Sequence, residues 1–69
     1  MSRAAEAHME GARAALKLAA EYRAEAFETT DEHRRAVCEW EAEEAEKRAA
    51  WYSAHAAMFT PKQKYRKAA

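Results

Sequence analysis

A chain with this sequence has one place to turn. From Arg3 to Phe59 it is written almost wholly in residues that favour the α-helix, with Ala, Glu, Arg and Lys dominating, and Gly11 and Pro61 are the only residues of their kind. Inside that stretch the one cluster of turn-forming residues is Thr29-Thr30-Asp31. Thr29 and Glu32 fit the S/T-x-x-E capping box, in which each side chain satisfies a free backbone N–H at a helix start. Asp31 and Glu32 then fall in the first turn, where the helix dipole favours acids. No segment alternates β-branched with polar residues, so a strand reading fails. The predicted fold class is all-α: an antiparallel two-helix hairpin over residues 1–60, with helices over about 3–28 and 31–59. One unbroken helix from Arg3 to Phe59 is the competing reading, and it would extend about 85 Å with little to bury against. A short connection forces the two helices antiparallel. Pro61 lacks an N–H and disfavours helix at Thr60, so residues 61–69 read as a basic, flexible tail.

The chain is long enough for one small domain. Its apolar content is misleading, because twenty of the residues are Ala and Ile is absent. A hairpin built mainly on Ala contacts buries little surface, so a homodimer that completes a four-helix bundle is expected.

Two stripes organise the second helix. Cys38, Ala42, Ala45, Ala49, Tyr52, Ala56 and Phe59 recur at alternating four- and three-residue steps, and every one is apolar. The first helix offers Ala5, Met9, Ala12, Leu16, Ala19, Arg23 and Ala26 at the same steps, with Arg23 the exception. Folded at Thr30, Leu16 falls opposite Ala45, Ala12 opposite Ala49 and Met9 opposite Tyr52. The expected seam is therefore Met9, Leu16, Ala45, Ala49, Tyr52 and Phe59. Val37, Trp40, Glu44, Lys47, Trp51, Ala54 and Met58 form another stripe, roughly opposite the first. Both tryptophans then point away from the hairpin core, and contiguous exposed aromatics mark an interface, with a second copy or with a foreign partner. A lateral row, Ala15, Leu18 and Tyr22, makes the first helix apolar on more than one side.

Formal charge sums to zero, which argues against a general nucleic-acid binder, but its distribution is uneven. Residues Glu39 to Glu46 carry five acids and no base, while Lys62 to Lys67 carry four bases and no acid. The acidic segment reads as a solvated face with Glu43–Lys47 and Glu44–Arg48 pairs, or as a negative patch suited to a basic partner surface. The residues expected to bind a partner are Glu39, Trp40, Glu43, Glu44, Lys47, Trp51 and Met58. In the tail, bases interleave with Tyr65, a pattern that solubilises or contacts an anionic polymer or membrane.

The sequence carries no catalytic or metal-binding constellation. Cys38 is alone, so no internal disulfide forms, which suits a reducing cytosol. His33 and Cys38 are off a common helical face, and His8 with His55 make too few ligands for zinc. No serine has a plausible base and no Gly-rich loop exists to cradle phosphate. The expectation is no enzyme, no metal and no cofactor. No apolar run reaches the length of a signal-peptide core or a membrane span, and the expected location is the cytoplasm.

An Ala/Glu/Arg-rich hairpin with Thr29-Thr30-Asp31 at its turn, outward Trp40 and Trp51 and a basic tail resembles the small host-takeover proteins of bacteriophages, in particular the anti-quorum-sensing proteins of Pseudomonas phages. The resemblance covers the whole chain in layout and carries no functional residue across. It implies a helical dimer that inhibits a LuxR-type quorum-sensing activator and also the type IV pilus assembly ATPase. The expected function is a non-enzymatic inhibitor that docks on such a host protein. The alternatives are a small DNA-binding accessory or antitoxin-like dimer using the basic tail, and a purely structural self-associating coiled coil.

Overall fold

The computed structural model describes residues 2–59, and these form the predicted all-α hairpin: α1 (Arg3–Glu28) and α2 (Glu32–Met58). The tail read at 61–69 lies outside the described residues. At about 1.5 Å per residue each helix is about 40 Å long, and the two lie against each other throughout.

The reversal is made by Thr29, Thr30 and Asp31 without any residue of positive φ. The N-cap of α2 is Asp31, whose Oδ1 accepts from the backbone N–H groups of His33 and Arg34 at 2.9 and 3.2 Å. This corrects the capping box expected at Thr29 and Glu32. Thr29 still belongs to the end of α1, where its N–H donates to the Glu25 carbonyl, and its Oγ1 accepts from the Asp31 N–H at 3.2 Å. Held there, it is too early in the chain to cap α2. The free carbonyls at the end of α1 are taken by α2 itself: the Arg35 guanidinium donates to the Thr29 carbonyl at 2.7 Å and to the Ala26 carbonyl at 3.2 Å. Arg34 forms an ion pair with Glu25 alongside. At the other end Ser2 caps α1, its Oγ accepting from the Ala5 N–H at 3.0 Å.

Removing the cap should therefore separate the two candidates. Asp31→Ala is expected to cost about 1 kcal/mol, the usual worth of an N-cap, and Thr29→Ala clearly less. Thermal melts followed by circular dichroism at fixed concentration decide it, and a larger loss for Thr29→Ala would restore the capping box.

The core is a seam of small residues. Ala5, Ala12, Ala15, Ala19 and Ala26 of α1 and Cys38, Ala42, Ala45, Ala49 and Ala56 of α2 are buried, and no large side chain among the described residues is fully so. Ala12 and Ala15 meet Ala49 with Tyr52 packed alongside, and Ala19 meets Ala42 and Ala45 with Tyr22 alongside. Side chains this short let two helices approach closely, and that spacing then excludes anything longer.

The α1 face differs from the expected one in a regular way. Ala5, Ala12, Ala19 and Ala26 lie in the seam as read, but the positions between them are His8, Ala15 and Tyr22 instead of Met9, Leu16 and Arg23. Leu16 is 53% exposed and Met9 is only half-buried, so neither fills the core. Where Ala15 meets Ala49, a leucine would hold the helices apart. Gly11 adds a second close approach, since a Cβ there would stand 3.1 Å from three atoms of the Tyr52 ring. The ring lies over bare helix backbone, a place only glycine leaves open.

Candidate protein-docking interface

Because the seam admits only small residues, the large apolar ones are left outside. Leu16, Leu18, Phe27, Val37, Trp40, Trp51, Met58 and Phe59 are all between 38% and 89% exposed. The α2 stripe singled out in the sequence is thus on the surface: Trp40 is 58% exposed, Trp51 50% and Met58 69%. Glu39, Glu43 and Lys47 are exposed beside them and Glu44 is half-buried. Lys47 donates to Glu44 at 3.2 Å, one turn back, instead of pairing with Glu43 as expected. Of the expected seam, Ala45 and Ala49 are buried and Tyr52 half-buried, while Phe59 is 43% exposed at the open end of the hairpin.

Sequence reasoning missed an aromatic cluster at that open end. Trp51 stacks on His55 with ring centroids 3.8 Å apart and meets the edge of Tyr52 at 5.4 Å. From α1, His8 reaches Trp51, Tyr52 and Phe59 at 5.9, 5.8 and 5.1 Å. Each imidazole uses Nδ1 on a carbonyl one turn back, His8 on Ala4 and His55 on Trp51, both at 2.8 Å. A carbonyl only accepts, so Nδ1 is the donor in both rings. The legible signal was the i,i+4 spacing of Trp51 and His55 together with His8 at a seam step. Among the described residues no group of three or more His, Cys, Asp or Glu is placed to hold a metal ion.

The acidic face is less acidic than its sequence. Arg23, the one charged residue in the expected α1 stripe, grips Glu46 with two hydrogen bonds of 3.0 and 2.8 Å. These bonds hold the Glu46 carboxyl below its ordinary range and raise the Arg23 guanidinium above its own, with Glu43 and Glu39 adding to the latter. Both partners are exposed, so the pair orients the helices more than it stabilises them. Glu39 and Glu43, next to Trp40, form no ion pair among the described residues, although both lie in the field of Arg23. A shallow open groove beside them is lined by Arg23, Ala26, Phe27, Arg35 and Glu39.

Cys38 is buried in the seam, and burial pushes its thiol up, with Glu25 adding to the rise and Arg34 opposing it. A buried protonated thiol is a poor nucleophile, and Cys38 acts here as a small packing residue. Neither helix is long and apolar enough to cross a membrane. No protein family, curated protein or solved structure matches this chain.

Proposed function

We propose that this chain is a non-enzymatic protein-binding inhibitor that dimerises into a four-helix bundle and docks on a host protein. One observation carries the reading: among the described residues only Ala and Cys side chains are fully buried in the hairpin core, so the large apolar side chains are held on the surface of a small molecule. Such side chains are buried by association, since apolar area left in water is unfavourable and a contiguous patch of it marks an interface. The surface is the outer face of α2, with Trp40, Trp51 and Met58 as apolar anchors, Glu44 and Lys47 between them, and Glu39 and Glu43 along one margin.

The class of target comes from the resemblance to phage host-takeover proteins. It is a LuxR-type quorum-sensing activator in the cytoplasm of a bacterial host, with the type IV pilus assembly ATPase as a second target. The acids at Glu39 and Glu43 suit the basic DNA-binding surface of a regulator. Charges at a rim chiefly govern how fast partners meet, so Glu39 and Glu43 set the rate at which the regulator is captured. Occupying that surface blocks DNA.

The test uses a purified LuxR-type activator and its promoter fragment. Adding the full chain is expected to release the DNA, and Glu39→Lys with Glu43→Lys is expected to weaken that effect by about tenfold at low salt. An activator that keeps its DNA in the presence of a large excess of the chain ends the target assignment.

A further inference from the structure

We propose that the outer stripe of α2 is closed by the same stripe of a second copy, running antiparallel about a two-fold axis level with the Ala45–Glu46 bond. The proposal rests on the self-association in the function proposed above and fixes its geometry. Val37, Trp40, Glu44, Lys47, Trp51 and Ala54 follow one another at steps of three, four, three, four and three residues, so they form a straight stripe along the helix. The large members are exposed: Val37 by 41%, Trp40 by 58% and Trp51 by 50%. Read by chemistry, the order from Val37 to Ala54 is the same from either end apart from the sign of charge: aliphatic, indole, charge, charge, indole, aliphatic; Met58, the last member of the stripe, falls opposite His33 of the second copy.

A two-fold interface brings one surface patch against itself, so each contact is made twice with its members exchanged. About this axis Trp40 lies opposite Trp51 of the second copy, Val37 opposite Ala54, and Glu44 opposite Lys47. Acid meets base at both central positions, where the Glu44–Lys47 pair within each chain is already 3.2 Å long. Other arrangements do not match. Sliding one copy by a heptad sets Trp40 against Glu44 in one direction and Lys47 against Trp51 in the other. Parallel pairing sets Glu44 against Glu44 and Lys47 against Lys47. Charged positions inside an apolar seam are a known means of selecting one register over its neighbours. A foreign helix would give no reason for the stripe to match its own reverse. The occupant is a second copy, and both tryptophans belong to the dimer. Glu39 and Glu43 are then left at its margin, present twice.

Cysteine cross-linking of the full chain tests the register, with Cys38→Ala as background. In this arrangement Val37→Cys on one copy lies opposite Ala54→Cys on the other. Two copies of the same variant place their thiols about 25 Å apart along the axis, far beyond the roughly 4.4–6.8 Å Cα separation of a disulfide. Oxidising an equimolar mixture is expected to give the mixed disulfide dimer, while either variant alone stays unlinked. Self-linking of Val37→Cys, or no link from a mixture that sediments as a dimer, overturns the register and leaves self-association standing. Sedimentation at a mass near the 7.9 kDa of one chain overturns both. Charge reversal at exposed positions gives an independent check. Glu44→Lys and Lys47→Glu are each expected to associate weakly, and their mixture about tenfold more tightly than either. A mixture no tighter than its components also overturns the proposal.

Discussion

Ala42→Leu is expected to destabilise the hairpin by about 1–3 kcal/mol, although leucine is the more apolar residue and an excellent helix former. Ala42 is fully buried against Ala19 and Ala45, with the Tyr22 ring packed alongside them. The added isobutyl group forces the helices apart at mid-seam and loosens the Ala12–Ala49 contact one level along. For a chain of this size each kcal/mol shifts the melting midpoint by roughly 4–8 °C. The measurement is a thermal melt at fixed protein concentration, because association makes the midpoint concentration-dependent. Leu16→Ala is the informative companion. If Leu16 filled the seam its truncation would cost about 2–5 kcal/mol, whereas at 53% exposure the cost should be a small part of that. An Ala42→Leu chain that melts at or above the parent would mean the seam is not packed on alanine.

That pair of substitutions bears on what the sequence could reveal. The hairpin was legible because its turn stands alone between two long helical stretches. The α2 seam was legible because its row is unbroken. On α1 two rows share Ala5, Ala12, Ala19 and Ala26 and differ by one residue in between. A reading that ranks residues by hydrophobicity takes Met9 and Leu16 over His8 and Ala15, and accepts Arg23 over Tyr22. Between Ala15 and Leu16 size decides the other way, since Ala15 faces Ala49 and only a short side chain fits there, while His8 and Tyr22 lie half-buried at the edge of the seam. The charge at Arg23 was the available warning. The Gly11–Tyr52 contact and the Arg35 clamp on the end of α1 need the register between helices before they have any meaning, so no local pattern announces them. The choice between Thr29 and Asp31 as cap is similar. Both are good capping residues, and Asp31 holds the place because Thr29 is already bonded into α1.

Trp51→Ala carries the other large expected effect, on association and not on folding. Truncating a buried aromatic anchor costs about 2–4 kcal/mol, which is at least about thirtyfold in a dissociation constant. In a two-fold dimer each substitution removes both copies of the ring, and both of its contacts with Trp40 of the other chain, so the effect belongs at the upper end. The helices themselves should persist, because the buried seam contains no tryptophan and the aromatic partners of Trp51 are His8, Tyr52 and His55 at the open end. Sedimentation equilibrium reads the association and circular dichroism reads the helix content. Concentrated Trp51→Ala should still reach the helicity of the parent while dissociating at far higher concentration. Two other outcomes carry distinct meanings. A variant that dimerises like the parent yet no longer releases DNA from the activator assigns Trp51 to the foreign target. A variant unchanged in both respects leaves the ring with no role beyond its contacts to the two histidines and Tyr52. The antiparallel stripe would then lose its central aromatic contact and its reason to form.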